Sequence, residues 1–438
     1  MSRHIIIGTG ITGISAAEAI RDLSSTDDIT LITDDPARFY SRPGLAYYLV
    51  DEVPEKQLYS YTKEDFENLN ATLINEKVTR INKDDHSVTL GDGRILYYDK
   101  LLIATGSSAS LPSIPDKTEL KGIVKLDTID DAKHIRKLCK KARAAIVIGG
   151  GITALELVEG FLANGVKTHY FLRRDRYWGK VLDETESRII EQRLKEEGVL
   201  IHYHTEIAEI TEKEGKVTGV HTKDGKNIRC DIIAYAIGIR PNKKLAEIIG
   251  IETERGILVD EYMKTSIPDI YAAGDVAQVY DPYSGNYVLD SLWGTARLQG
   301  RIAGQNMSGK SEKYTKDVPF NVTRLAGLTT TIIGLVGSGK DEDLVGIARG
   351  DSETWRQLPD AIVCQQSLDV NHMRILIGDK IFLGAIVMGD QTFSKPLYHL
   401  IARKADISEI KGKLLEPDAP IADILALYWI EGRTRNEI

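Results

Sequence analysis

Two glycine-rich stretches hold the residue types and spacings in this chain that could do chemistry. The first reads Ile5-Ile-Ile-Gly8-Thr-Gly10-Ile-Thr-Gly13 and the second Ile146-Val-Ile-Gly149-Gly-Gly151-Ile-Thr-Ala154. In each, a short apolar run of strand character ends in Gly-x-Gly-x-x-Gly or its alanine form, where a helix can begin. The first glycine permits the tight strand-to-helix turn, the second lets a pyrophosphate approach the backbone, and the third small residue lets helix and strand pack closely. The free N–H groups and partial positive charge of the helix N-terminus then bind the phosphates. At the spacing a ribose-binding carboxylate requires, the run Ile29-Thr-Leu-Ile32 ends in Asp34 and Asp35. One of the two is expected to accept the ribose hydroxyls, with spacing slightly favouring Asp34. In the second copy the run Thr168 to Leu172 meets Arg173-Arg174-Asp175-Arg176 instead. Arg173 and Arg174 would attract a 2′-phosphate where a carboxylate would repel it, which favours NADPH over NADH as the nucleotide there. The alternative for these arginines is a solvated surface cluster.

One such turn is a weak signal, but here the elements around it repeat as well. The first copy closes at Leu101-Leu-Ile-Ala104-Thr105-Gly106 and the second at Ile232-Ile-Ala-Tyr-Ala236-Ile237-Gly238, each preceded by an Asp-Gly pair, Asp92-Gly93 and Asp224-Gly225. Asp-Gly between β-prone runs predicts a hairpin. Each copy is therefore expected to be βαβ, then a β-meander, then a closing strand. Beyond the second copy come Ile270-Tyr-Ala-Ala-Gly274-Asp275 and a helical stretch from Leu292 to Met307. The remainder has strand runs such as Thr330 to Val336, a hairpin at Arg374 to Val387, and a helix-rich tail with the apolar segment Ile421 to Trp429. The expected fold class is α/β: two Rossmann-like dinucleotide-binding domains, each with a β-meander, plus a C-terminal α+β domain. The expected boundaries are 1–110 with 245–313 for a discontinuous first domain, 111–244 for the second, and 314–438 for a C-terminal interface domain.

Bulk properties agree with this layout. A chain of 438 residues exceeds one ordinary core and suits two or three domains. No apolar run is long enough to span a bilayer, and structure begins at Ile5 with no room for a signal peptide ahead of it, so a soluble, cytoplasmic protein is expected. A net charge of −8 argues against chain-wide affinity for nucleic acid while leaving room for a local basic patch. Cys139, Cys230 and Cys364 form no C-x-x-C pair and no metal-ligand cluster, so each is expected to be a buried small hydrophobe and no metal site is assigned.

Together these motifs resemble the pyridine nucleotide-disulfide oxidoreductase superfamily, over residues 1 to about 310. The family's order of motifs is an FAD fingerprint, an Ala-Thr-Gly strand end, an NAD(P) fingerprint and a Gly-Asp strand end. Gly8 to Gly13, Ala104-Thr105-Gly106, Gly149 to Ala154 and Gly274-Asp275 follow that order. The resemblance implies that Asp275 hydrogen-bonds the ribityl-phosphate side of FAD and that Val78, in Glu76-Lys-Val-Thr-Arg-Ile81, meets the adenine through its backbone. It also implies that Ile152 and Glu156 lie near the nicotinamide cofactor and that Gly238 belongs to the same site. Tyr40-Ser-Arg42-Pro43-Gly-Leu45 resembles an element of the branch containing rubredoxin reductases, ferredoxin reductases and the flavin part of NAD(P)H-nitrite reductases, in which Arg42 and Pro43 would pack against FAD. Trp293 matches the branch's Trp-x-x-Ala helix near the flavin.

The departures from the family pattern are informative. Cysteine-dependent NADH oxidases and CoA-disulfide reductases have Ser-Cys-Gly where this chain has Ser41-Arg42-Pro43, and no cysteine precedes Cys139. Ferredoxin reductases continue Leu-Ser-Lys where Leu45 is followed by Ala46-Tyr47, and their related Arg-Thr-Leu element appears here as Asp127-Thr128-Ile129. Three scattered cysteines cannot supply a Cys₄ iron–sulfur cluster. The expected function is that of an FAD-dependent NAD(P)H oxidoreductase passing hydride from NADPH, or NADH, to FAD and then electrons to an acceptor without a redox-active disulfide. The acceptor classes are an Fe–S or other small redox protein, a quinone or a small molecule. The alternatives are an oxidase using O₂ and an FAD-binding sensory or assembly protein acting through its C-terminal domain. Hydride transfer needs orientation of two rings and no side-chain acid or base, so no catalytic residue is assigned. Family analogy allows a homodimer through the C-terminal domain.

Overall fold

The computed structural model describes residues 1–112, 120–281, 285–337, 345–348, 351–354, 362–368 and 371–434. Two five-stranded parallel sheets organise it. The first has the order Ile270–Ala272, Lys100–Ile103, Arg3–Ile7, Asp28–Thr33, Thr72–Asn75. The second has the matching order Ile123–Val124, Ile232–Tyr235, Ala144–Ile148, Lys167–Phe171, Leu200–His202. Strands of such sheets are covered on both faces, which is why Ile5, Ile6, Leu101, Leu102, Ala145 and Val147 read as continuous apolar runs and are all buried. In both sheets the strand that leads into the glycine turn lies between the second strand and the closing strand, at the topological switch point where a nucleotide can enter the crevice.

Each Asp-Gly pair turns a three-stranded antiparallel meander, Val78–Asn82 with Ser87–Leu90 and Ile95–Tyr97, and Ile207–Lys213 with Lys216–Thr222 and Asn227–Arg229. The first parallel sheet takes its edge strand from Ile270–Ala272, so the chain returns to it after building the second. Close helix packing anchors that return. A Cβ on Gly300 or Gly304 of helix Trp293–Met307 would lie 2.2 Å from Thr12 O or 2.3 Å from Ala16 O of helix Ile11–Leu23. A small sheet of Ile257–Leu258, Ala277–Asp281 and Asn286–Leu289 lies in the same return segment, without a signal in the residue pattern.

The remainder forms an antiparallel five-stranded sheet in the order Phe320–Leu325, Leu328–Gly334, Phe382–Met388, Asn371–Ile377, Ile362–Leu368, followed by helices Ser394–Ala402, Ser408–Leu414 and Ile421–Thr434. Its first hairpin does not stay within its own core. Leu325, Ala326 and Leu328 join the cluster of the second parallel fold, together with Tyr40, Leu45 and Leu49 from the first. Cys139 and Cys230 are buried as expected; Cys364 belongs to strand Ile362–Leu368, and its side chain lies outside the described residues. Among the described residues no helix is long and apolar enough to cross a membrane, and no group of three or more His, Cys, Asp or Glu side chains is gathered to hold a metal ion.

Candidate functional site

The two glycine turns have the same construction. Gly8 adopts φ +116°, and a Cβ there would sit 2.2 Å from Ala104 O; Gly149 adopts φ +152°, and a Cβ there would sit 2.2 Å from Ala236 O. The carbonyl of each closing strand thus presses on the first glycine of its turn, so neither position has room for a side chain. A Cβ on Gly13 would lie 2.0 Å from Gly8 O, while Ala154 occupies the third position of the second turn. The middle glycines differ. Around a Cβ added to Gly10 or Gly151 nothing lies within 4 Å. Each is the N-cap of its helix, Ile11–Leu23 or Ile152–Ala163, with no side-chain cap and no acidic residue in the first turn. Open space before uncapped N–H groups and a positive dipole end fits a pyrophosphate at both turns.

The second strands end differently, as their residues suggest. The Asp35 carboxylate is engaged locally, with Oδ1 accepting the Ala37 N–H at 2.9 Å and Oδ2 accepting the Tyr40 hydroxyl at 3.3 Å. Asp34 is exposed. At the equivalent end of the second fold Arg173 and Arg174 are exposed, whereas Arg176 is tied to Asp175 at 3.1 Å and to the Gly179 carbonyl at 3.3 Å.

A cleft lies over the second turn, walled by Gly151, Thr153, Tyr235, Gly238, Ser107 and Asp127 among others. Burial pushes the Tyr235 hydroxyl up to about 12, so it stays protonated. Two contacts join these walls to residues outside the cleft. Ser107 donates its hydroxyl to Asp275 Oδ2 at 2.8 Å, and Arg42 Nη1 meets Asp127 Oδ1 at 3.4 Å. Beside them the strands Ser107–Ala109 and Ile239–Pro241 pair antiparallel where the chain crosses between the folds. Thr105 and Asn242 fasten that crossing through mutual side-chain-to-backbone bonds of 2.9 Å. Tyr40 adds a further tie, its hydroxyl accepting the Ile129 N–H at 3.1 Å. Desolvation raises its pKa despite the nearby Arg42.

The remaining residues singled out from the sequence are spread around this centre. Pro43 is the N-cap of helix Gly44–Leu49, Val78 is buried at the start of its meander strand, and Ala104 and Gly106 flank Thr105 at the end of the first closing strand. Ile152 and Glu156 occupy the first two turns of the helix beyond Gly151, both half-buried. Gly274 follows strand Ile270–Ala272 with its N–H on Gln299 Oε1 at 2.8 Å. Trp293 opens helix Trp293–Met307 and is 44% exposed, with Arg297 over its ring, so it is not an interior packing residue in this chain. Ser107, Thr153 and Tyr235 were not among the residues read from the sequence. Ser107 directly follows Ala104-Thr105-Gly106, but nothing local announces its bond to Asp275. Cys139 and Cys230 sit in apolar cores, where burial pushes their thiols up to about 11 and about 12, so neither is a ready thiolate.

Known proteins share this architecture. The chain is 27% identical over 419 residues to the assimilatory nitrate reductase electron transfer subunit of Bacillus subtilis (strain 168), covering 95% of this chain and 51% of that protein. It is 30% identical over 344 residues to the NADH-rubredoxin oxidoreductase of Clostridium acetobutylicum, covering 77% and 83%. The chain therefore spans about half the length of the Bacillus subtilis relatives it matches and most of the length of the clostridial one. The crystal structure of the covalent putidaredoxin reductase–putidaredoxin complex superposes with a TM-score of 0.84 at 24% identity, covering 97% of this chain and 98% of that one, which shows a common fold. Residues 2–300, a span that contains both glycine turns and the cleft over the second, match one family, and by that match this chain belongs to the pyridine nucleotide-disulphide oxidoreductases.

Proposed function

We propose that this protein is an FAD-dependent NAD(P)H oxidoreductase that delivers its electrons to an acceptor without a redox-active disulfide. The observation that carries the reading is the pair of open, uncapped glycine turns at the switch points of two parallel sheets, with Arg42 of the first fold meeting Asp127 on the cleft over the second turn. Bound FAD supplies the two-electron acceptor for the nicotinamide's hydride.

The chain's own residues bind and orient. The Gly8–Gly13 turn would hold the FAD pyrophosphate, with Asp34 on the ribose because Asp35 is already engaged by Ala37 and Tyr40. Val78 would meet the adenine, and Gly274-Asp275 the ribityl-phosphate, with Ser107 fixing the Asp275 carboxylate. Arg42, Pro43, Trp293 and the Ala104-Thr105-Gly106 strand end would surround the flavin. Gly149, Gly151, Ile152, Glu156 and Gly238 would form the nicotinamide cofactor's side. Exposed Arg173 and Arg174 favour NADPH over NADH. In this reading the FAD unit comprises 1–110 with 245–313, the NAD(P) unit 111–244, and 314–438 an interface domain through which a homodimer would form.

A relative named for rubredoxin supports a small redox protein as the acceptor class. Purified protein should be yellow with about one FAD per chain, bleach within seconds on anaerobic mixing with NADPH, and be reoxidised faster by a small Fe–S protein than by O₂. A colourless protein that takes up no added FAD overturns the reading, slow or absent bleaching marks a sensory role, and faster reoxidation by O₂ marks an oxidase. Replacing all three cysteines by serine should leave turnover with a one-electron acceptor near the wild-type rate, provided folding and FAD content are intact. Loss of that turnover alone would show a thiol route.

A further inference from the structure

Asp127 places a buried carboxylate on this cleft. It lies in the loop between strand Ile123–Val124 and helix Ile129–Cys139, lines the cleft with Gly151 and Thr153, and is 8% exposed. Its Oδ1 meets Arg42 Nη1 at 3.4 Å, and its Oδ2 accepts Lys125 Nζ at 3.3 Å and the Ala109 N–H at 3.2 Å. Asp131, in the first turn of that helix, turns its Oδ2 to the backbone N–H groups of Asp127 and Thr128 and closes the helix cap. Arg42 comes from the first fold and Asp127 from the second, so the pair bridges them beside the cleft over the second turn. A carboxylate this buried is costly unless it is paired. Here it faces two cations, and the trio carries net charge +1.

We propose that Asp127 is a positioning residue that holds the Arg42 guanidinium at this cleft and offsets its charge, and that the carboxylate thereby lowers the reduction potential of the bound flavin. The proposal rests on the FAD-dependent reading above. Hydride uptake brings two electrons and one proton into the cleft; the nicotinamide leaves one unit more positive, and the flavin site becomes one unit more negative. A cation beside that site favours the reduced state and an anion disfavours it. Two unit charges on the order of 10 Å apart at an effective dielectric of about 20 shift such an equilibrium by roughly tenfold. Offsetting Arg42 and Lys125 with Asp127 therefore makes the reduced protein a stronger electron donor than it would be with both cations unopposed.

Anaerobic dye-equilibrated titration of the FAD-loaded protein reads this directly. Asp127→Asn keeps the side chain's shape and removes its charge. It should shift the oxidised-to-reduced equilibrium about tenfold toward the reduced state, a rise of about 30 mV for a two-electron couple. Arg42→Gln should lower the potential by a similar amount, and the double variant should return close to wild type. An unchanged or lowered potential in Asp127→Asn with wild-type FAD content overturns the proposal while leaving the enzyme assignment intact. If Asp127→Asn cannot be loaded with FAD, Arg42→Gln and Lys125→Gln decide the matter, since each should lower the potential and no change in both overturns the proposal. A wild-type chain that binds no FAD, visible in the spectrum before any titration, overturns this proposal and the proposed function together.

Discussion

Arg374 and Glu186 form a two-point ion pair in which neither side chain reaches solvent. Arg374 Nε lies 2.8 Å from Glu186 Oε1 and Nη2 2.9 Å from Oε2, and the guanidinium also reaches the carbonyls of Val181 at 2.9 Å and of Gly337. Glu186 is the N3 residue of helix Glu184–Glu196 in the second fold, and its carboxylate also closes that helix's capping box on Asp183. Arg374 belongs to strand Asn371–Ile377 of the C-terminal sheet. One carboxylate therefore caps a helix and anchors the C-terminal domain. Burial alone would raise the Glu186 pKa, but Arg374 and His372 pull it below the ordinary value.

Breaking this pair should be expensive, because the surviving partner is left charged in an apolar place. Arg374→Leu is expected to cost about 3–5 kcal/mol, whereas the double change Arg374→Met with Glu186→Leu should recover most of that loss. Denaturant unfolding of the FAD-loaded proteins checks it. A loss below about 1 kcal/mol in the single variant would show that the pair contributes little. Because Glu186 titrates below its unfolded value, its contribution is present at neutral pH and is lost as pH falls through the folded pKa.

Gly10 and Gly8 should fail in different ways when replaced by valine. Space around a Gly10 Cβ is open, so Gly10→Val should leave the apoprotein's unfolding midpoint unchanged and abolish retention of FAD. Gly8 has φ +116° and only 2.2 Å to Ala104 O, so Gly8→Val should destabilise the apoprotein itself, on the order of 3 kcal/mol. Thermal unfolding of the apoproteins, with the visible absorbance of bound flavin as the FAD readout, separates the two. Full FAD content in Gly10→Val would mean that the open space does not receive a pyrophosphate.

The two exposed arginines of the second fold make a cofactor prediction. Arg173→Gln with Arg174→Gln should reduce the ratio of kcat/KM for NADPH to that for NADH by roughly tenfold or more, the size of a lost charge-assisted hydrogen bond to phosphate. An unchanged ratio would identify the arginines as a surface cluster.

Glu159 gives the protein a pH-dependent seam. It lies on helix Ile152–Ala163, and its Oε1 accepts the Gly327 N–H at 3.3 Å from the first hairpin of the C-terminal sheet. Burial pushes its carboxyl from 4.5 to about 7, with Glu156 and Glu197 adding to the rise and Arg324 opposing it. In the unfolded chain this group ionises near 4.5 while in the folded chain it keeps its proton to about 7, so stability falls across that window as pH increases. Glu159→Gln should therefore stabilise the protein at pH 8, on the order of 2–3 kcal/mol, and much less at pH 5. Equal effects at the two pH values would contradict the assignment.

Both glycine turns, the strands that lead into them, the Asp-Gly meanders and the closing strands are legible in the sequence, because each depends on spacing within a few residues and on rules of local geometry. Period-2 and period-3.6 apolar patterns, a glycine where φ must be positive, and Asp-Gly where a hairpin must turn leave a trace wherever they occur. The contacts that assemble the site leave none. Arg42 and Asp127 are 85 residues apart, Ser107 and Asp275 are 168 apart, and Arg374 and Glu186 are 188 apart. A carboxylate at position 127 or 186 reads as a solvated charge until the fold removes the water around it. The difference between an exposed Asp34 and an engaged Asp35 arises in the same way, since Asp35 meets the Ala37 backbone and a tyrosine whose own position depends on helix Ile129–Cys139 of the other fold. Local sequence determines where a turn can form. Burial and partner, which exist only once distant segments meet, decide what a charged side chain does there.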